Sequence, residues 1–527
     1  RAGRFQYKGR EVIDEQEESR RFAALNARLQ TIWSNLQTDA EYEHTSLIVP
    51  SLSVNQEELA KVLGAAHYEE RLLFALIRLR NPNARVIYVT SQPVHPDIVD
   101  YYLQLLDGVP LSHARQRLKM LSVYDASVRP LSEKILERPR LMKRLRQLLG
   151  DADRAYLTCY NSTVLEKRLA VELGIPLNGV DPELLYYGTK SGSRTVFAET
   201  GVAAPLGNGD LHTEAEIVEA LLRLAKERPG LRRAVVKLNE GFAGEGNGMF
   251  TFPQGELDAA TIGAALRKLR WSSKTETYRA FLRKFAEMGG IVEEMIEADE
   301  VRSPSVQMRI SPDGQSALVS SHEQILGGST GHAYVGCRFP ANDDYRLQLH
   351  TEAEKIGRYL SSKGVIGRFA IDFLAARRSG DQWSIYAIEI NLRMSGTTPP
   401  FHALEFLTGG SLDVSSGRFR APNGQEKFYR ATDNLKSPAY RGLLPEDLFQ
   451  IMNRTGLSFR HSTDTGTLFY MIGALSQFGK LGMTCIGNTP EEAQDIFKRT
   501  VAALDGEGAS DLHGEDAPIF DRYLAME

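Results

Sequence analysis

Cysteine is scarce. The 527 residues include three, Cys159, Cys337 and Cys485, spaced far apart and without a Cys-x-x-Cys pair. A disulfide framework is therefore excluded, and the usage suits a reducing, cytoplasmic setting. Long apolar runs are missing too: none reaches the ~20 residues that a membrane-spanning helix needs, so no membrane partner is expected. Neither sign of charge is in excess. Lys and Arg number 63 against 67 Asp and Glu, a formal net charge of −4, and no global basic field advertises nucleic acid. No convincing Ser–His–Asp or Cys–His arrangement is present, since His461-Ser462-x-Asp464 reads as a polar loop. The chain opens with Arg1-Ala2-Gly3-Arg4 rather than Met, which leaves open an upstream piece and any targeting signal it would carry.

What is present is the composition of an ordinary globular protein, long enough for roughly three to four domains. One stretch stands out. Residues 233–250, Arg-Ala-Val-Val-Lys-Leu-Asn-Glu-Gly-Phe-Ala-Gly-Glu-Gly-Asn-Gly-Met-Phe, read as strand, glycine-rich loop, strand. Glycines such as Gly244 and Gly246 let backbone N–H groups approach an anion without Cβ interference, and Lys237 adds a mobile positive charge at the entrance. Together they look like a flap over a nucleotide's phosphates. The loop is no Walker A motif, because no Lys-Ser or Lys-Thr closes it. It is no Rossmann fingerprint, because a strand rather than a helix follows. A plain flexible hairpin remains open for the loop taken alone.

Before the loop, residues 1–40 predict a helix packed on the first domain, with Phe22, Leu25, Leu29, Ile32, Trp33 and Leu36 at helical spacing. Strands at 46–50, 85–90 and 155–158 then alternate with helices at 56–80, 97–106, 132–149 and 162–173, which implies a parallel sheet in an α/β domain. Tyr160-Asn161-Ser162-Thr163 falls between strand and helix, where capping and ligand binding are both readings. Helices are also expected at 193–200, 213–228, 258–268, 277–287 and 344–363. Pro312-Asp313-Gly314 is a hairpin turn, and 327–331 forms a second Gly-rich loop.

Two later strands carry the acids. In 367–374, alternation puts Arg368, Ala370 and Asp372 on one face; in 383–393 it puts Glu389, Asn391 and Arg393 on one face. If the strands pair, two carboxylates and an amide converge among apolar neighbours. Buried carboxylates need a partner. A divalent cation such as Mg²⁺ would serve, and so would salt bridges to Arg368 and Arg393.

Taken in order, Lys190, Lys237 with its flap, Glu293-Glu294-Met295-Ile296, Glu300, Asp372 and Glu389-x-Asn391-x-Arg393 resemble the ATP-grasp superfamily of carboxylate–amine ligases over about 186–405. Ser321-His322-Glu323-Gln324-Ile325-Leu326-Gly327-Gly328 and Gly466-Thr467-Leu468-Phe469-Tyr470-Met471-Ile472-Gly473-Ala474-Leu475-Ser476 are similar to the pheganomycin-type peptide ligases. The resemblance implies an α/β protein: an N-terminal Rossmann-like (pre-ATP-grasp) domain, 1–185; an α+β ATP-grasp core, with a small subdomain and flap at 186–290 and a large subdomain with the metal site at 291–410; and a C-terminal extension, 411–527, expected to form a third layer or a homodimer contact.

The resemblance also implies roles. Lys190 and Lys237 would contact ATP phosphates under the flap that holds Gly244 and Gly246. Glu293, Glu294, Met295 and Ile296 would read adenine, through the Glu294 carbonyl and the Ile296 N–H, and Glu300 would take the ribose hydroxyls. Asp372, Glu389 and Asn391 would hold Mg²⁺, two ions being expected. Arg393 would lie beside the transferred phosphoryl group, and Arg368 or Arg393 would stabilise the oxyanion. Arg302, Arg309, His322 and Gln324 would line the pocket for the second substrate, surface or interdomain salt bridging being the other reading of them. The implied activity joins a small-molecule or peptide carboxylate to an amine through an acyl phosphate, with ATP going to ADP. A nucleotide-binding regulator or scaffold that has lost catalysis is the alternative, and an ATP-grasp carboxylase is disfavoured by the lack of a Met-Lys-Met biotinyl site in this chain.

Overall fold

The computed structural model describes residues 14–511 except 55–58, 61, 242–245, 273–275 and 328–332. Four parallel strands form the N-terminal sheet in the order Leu118–Ser122, Ala84–Thr90, His44–Val49, Ala155–Cys159. The central strand His44–Val49 is buried along its whole length, as expected of a parallel strand covered on both faces. Helix Glu15–Thr38 starts where Asp14 accepts from the Glu17 N–H at 2.8 Å. It buries Phe22, Leu29 and Ile32.

Several details differ from the sequence reading, among them a helix expected at 56–80 that runs Ala65–Arg80. Strand Leu118–Ser122 was not anticipated: it is a five-residue edge strand whose side chains are mostly half-buried, so it carries little hydrophobic pattern. The helix expected over 132–149 is two, Leu131–Leu136 and Pro139–Leu149. Pro139 cannot continue a helix that precedes it, but its fixed φ suits the first turn of a new one.

A second, antiparallel sheet runs Gly207–Leu211, Gly290–Glu294, Arg233–Leu238, Asn247–Thr251, Arg270–Trp271. Its apolar face is covered by Glu214–Glu227, Ala259–Leu266 and Tyr278–Met288, which bury Leu221, Ile262, Phe281 and Phe285 against Val236 and Phe250. Each such side chain contributes about 1.5–3 kcal/mol by leaving water.

The largest sheet has nine strands among the described residues. Eight follow the order Glu300–Arg302, Gly367–Arg377, Pro304–Ile310, Ser316–Gly327, Ala333–Phe339, Phe428–Lys436, Lys480–Gly487, Gly466–Tyr470, and Ser384–Asn391 also pairs with Gly367–Arg377. Helix Arg346–Ser362 packs on it through Leu349, Ala353, Ile356 and Leu360. The last three strands of that order come from the C-terminal region, which thus continues the sheet, and its helix Pro490–Asp511 packs on those strands through Phe497 and Leu504. The same region reaches the N-terminal sheet's helices: Tyr102 Oη donates to the Phe469 carbonyl at 2.9 Å, and the Gly473 N–H donates to Glu70 at 3.0 Å. One apolar core, containing Leu72, Phe401, Leu404, Met483 and Leu504, runs through these parts.

Candidate active site

Between the five-stranded and nine-stranded sheets lies a cleft of about 1370 Å³. Its acidic wall comes from one strand pair. Gly367–Arg377 and Ser384–Asn391 are antiparallel, with Asp372 opposite Glu389 and Ala370 opposite Asn391. The convergence expected from alternation is therefore present. Asp372 accepts from Gln324 Nε2 at 2.7 Å and from Asn391 Nδ2 at 2.9 Å. Burial first, and the Glu389 charge second, push the Asp372 carboxyl up to about 6. Glu389 is approached by Lys190 Nζ at 3.3 Å. Arg393 lies on the same wall, its guanidinium donating to the Met394 carbonyl at 3.1 Å.

Two carboxylates in register, with an amide beside them, mutually raise the cost of their charges. A divalent cation with a taste for oxygen fits this donor set and would offset that cost. Among the described residues no group of three or more His, Cys, Asp or Glu forms a metal cluster, so such an ion would keep water or substrate oxygens in its remaining positions.

The opposite wall is basic at its mouth. Lys237 extends from Arg233–Leu238 and donates to the Glu293 carboxylate, which also meets Arg194 Nη1 at 3.4 Å. Glu294 turns its side chain the other way, accepting from the Leu206 N–H at 2.9 Å and pairing with Arg228 at 3.0 Å. The chain then leaves the strand, and Met295 and Ile296 line the cleft. The Met295 N–H is taken by the Arg233 carbonyl at 3.1 Å, whereas the Ile296 N–H donates to no backbone carbonyl among the described residues. Gly246 adopts φ +81° beside Leu238, a conformation that favours glycine. Gly244 lies outside the described residues, as do the rest of 242–245 in the flap and most of the second Gly-rich loop.

Other expected residues lie elsewhere. Glu300 is exposed on an edge strand and pairs with Arg377 at 2.8 Å, outside the cleft lining. Arg302 does line the cleft, its guanidinium stacked 5.4 Å from the Trp383 ring. Gln324 lines it beside Asp372. His322 stands in a cross-strand row with Ser305 and Asp372, but the ring of Phe401 packs over it and it is fully buried against Tyr429. Burial pushes that imidazole down to about 3, so it stays neutral. Arg368 and Arg309 do not reach the cleft. Arg368 shares a face with Asp372 but sits four residues earlier, ~13 Å along the strand, and both arginines open into a second cavity.

Sequence reasoning missed Glu323, Tyr334, Arg270, Trp271 and the turn Ser395-Gly396-Thr397, all of which line the cleft. Only the turn carried a local signal, a Ser/Gly/Thr run two residues after Arg393. Its Ser395 N–H donates to Thr398 Oγ1 at 2.9 Å, opening helix Thr398–Thr408.

Comparison with known proteins adds the following. Residues 182–257 and 259–415 match the family described as IQCH-like, ATP-grasp, and residues 447–500 match the PGM1 C-terminal domain. The chain is 30% identical over 469 residues, 88% of its length and 94% of the relative's, to L-propargylglycine--L-glutamate ligase of Streptantibioticus cattleyicolor. It is 22% identical over 537 residues, 92% of its own length, to IQ motif-containing protein H of Danio rerio, and spans 50% of that protein. A solved biotin carboxylase from Campylobacter jejuni, in complex with β-γ-ATP, shares the fold at 14% identity and a TM-score of 0.54, covering 93% of this chain and 100% of that one.

Proposed function

Because this chain belongs to the ATP-grasp carboxylate–amine ligases, we propose that the cleft activates a carboxylate as an acyl phosphate and hands it to an amine. The observation that carries the reading is the register of Asp372 with Glu389, with Asn391, Arg393 and Lys190 on the same cleft.

In the first step a carboxylate oxygen attacks the γ-phosphorus of ATP, the bond to the bridging oxygen breaks, and ADP leaves. ATP carries about four negative charges that repel the incoming carboxylate, so positioning and charge compensation supply most of the catalysis. Lys190, Lys237 and Arg393 are the cations for that task. Asp372, Glu389 and Asn391 would hold Mg²⁺, two ions in our reading, which neutralises phosphate charge when bound. The apolar edge at Met295 and Ile296, with the Ile296 N–H, suits adenine. In the second step the amine attacks the acyl carbon and gives up a proton, a tetrahedral oxyanion forms, and phosphate leaves. In this reading Arg393 takes the oxyanion role, which its place on the cleft supports, since Arg368 opens elsewhere and a guanidinium stays charged while donating in a fixed fork. Excluding water protects the acyl phosphate.

The acid and amine are amino acids or short peptides in this reading, as the name of the Streptantibioticus relative suggests for that enzyme. Such an enzyme works in the cytoplasm on small molecules, with a homodimer as the assembly to check by light scattering. Residues 1–185, 186–290, 291–410 and 411–527 serve as its working divisions.

The test is nucleotide turnover with Mg²⁺, ATP and a pool of amino-acid and peptide carboxylates, with hydroxylamine as trap. Carboxylate-dependent ADP and a hydroxamate, both lost in Glu389→Gln, are the expected result. AMP and pyrophosphate would sink the acyl-phosphate mechanism.

A further inference from the structure

The second cavity, about 320 Å³, lies where helix Glu15–Thr38 and the helical segment Ala65–Arg80 meet the start of the large sheet. It shares no lining residue with the cleft: Arg393 and Ser395 face the cleft, and Met394 between them faces the cavity.

Its floor is cationic. Arg309 and Arg368 are direct cross-strand partners. Like charges placed so destabilise a sheet unless something offsets them. Arg78 is a third guanidinium on the same cavity, anchored by Ser46 and by Thr158 Oγ1 at 3.1 Å. One carboxylate lines the cavity, Glu405, and it is engaged by His402 at 2.8 Å. Burial pushes His402 down to about 4, so it adds no charge near neutrality. Asp313, in the outer turn, is the other acid that Arg309 senses. Three positive charges thus face one lining carboxylate. Arg309 stacks 4.6 Å from the Trp33 ring, and Arg368 Nη1 is buried without a hydrogen-bond partner among the described residues. Unpaired buried donors of this kind are costly, and a guanidinium fork matches a carboxylate. The roof is apolar: Leu29, Ile32, Leu36 and Leu72 face the arginines.

We propose that this cavity is a binding site for a small aliphatic carboxylate, of amino-acid size, distinct from the nucleotide cleft. The carboxylate meets Arg309 and Arg368, and the aliphatic body lies under the helix that carries Leu29 and Leu36. The volume of about 320 Å³ falls at the low end for small-molecule sites. Because its walls come from the N-terminal helices and from the large sheet, an occupant ties the two together. The proposal does not depend on the chemistry assigned to the cleft.

The experiment is isothermal titration of the full chain with 4-methylpentanoate, in saturating MgADP so that the nucleotide part of the cleft is filled, with Trp33 fluorescence as a second readout. Saturable binding is expected, at least tenfold weaker in Arg309→Met and absent in Leu36→Trp, which fills the cavity. Both variants should bind MgADP as the parent does, which certifies their fold. The amine 3-methylbutylamine, which lacks the carboxylate, should not bind. The proposal is overturned by no saturable binding, by equal binding in both variants, or by loss of binding in Arg393→Met, which would put the ligand in the cleft.

Discussion

Asp372 and Glu389 stand opposite each other across one antiparallel strand pair, and Asn391 Nδ2 reaches Asp372 at 2.9 Å. Burial and the facing Glu389 charge hold the Asp372 carboxyl up at about 6, a cost that a cation would offset. Everything the cleft can do follows from that pair being held on a rigid sheet instead of on a loop.

Glu389→Gln and Asp372→Asn should each lower turnover by 10²-fold or more while leaving the fold intact, because each swap removes a charge with little change in volume. Measured as ADP release under saturating ATP and Mg²⁺, the double variant should be little worse than either single one, since residues that act as a unit are not additive. Additive losses would argue for two separate roles.

Lys237→Met should raise the KM for ATP and lower kcat/KM by about 10- to 100-fold, the worth of one charge-assisted contact of about 1.5–3 kcal/mol. Its partner Glu293 keeps Arg194, so thermal stability should move little. Steady-state kinetics and a melting curve together separate the two effects.

Gly290→Ala should be severe. A Cβ there would come 2.3 Å from the Lys237 carbonyl and 2.3 Å from the Phe285 ring. The strand that leads to Met295 and Ile296 would have to part from the one that carries Lys237. Nucleotide affinity by titration calorimetry should fall at least tenfold, and Tm should drop with it.

Buried histidines, His322, His350 and His402 among them, set the acid limit of the fold. Burial pushes His322 down to about 3, and His350 and His402 each to about 4, below the ordinary 6.5. A folded-state pKa below the unfolded one means that the unfolded chain binds the proton more tightly. Their stabilisation is therefore complete above pH 6.5 and is lost as pH falls towards 4. For His350, whose Nε2 lies 3.0 Å from Ser321 Oγ, the loss at pH 4 is about 3 kcal/mol. Urea melts from pH 7 to pH 4 should show the slope, and His350→Gln should flatten it by about one histidine's share.

The acidic wall of the cleft was legible in the sequence because strand geometry has a period of two. Glu389 and Asn391 lie two residues apart in one strand, so they share a face whatever the rest of the chain does; Asp372 joins them by strand pairing, and Arg393 lies past the strand's end at Asn391 yet lines the same cleft. The α/β alternation before residue 180 was legible for a similar reason: continuous apolar runs between helices admit little but a parallel sheet. Helix starts at Thr213 and Thr277 were written in their caps, each Thr accepting from a backbone N–H of its first turn.

Parity does not say how far along a strand a residue sits, nor what covers it. Arg368 has the parity of Asp372, yet four residues of rise carry it to another cavity, where Arg309 meets it from the next strand. His322 has the register of the acidic wall, yet it is fully buried, with the Phe401 ring edge-on against it. The union of the C-terminal strands with the core sheet was equally invisible, because edge pairing is decided by which backbones come within hydrogen-bonding reach. Local periodicity thus determined which side chains could act together, and only the tertiary structure, by distance and by covering, decided which of them do.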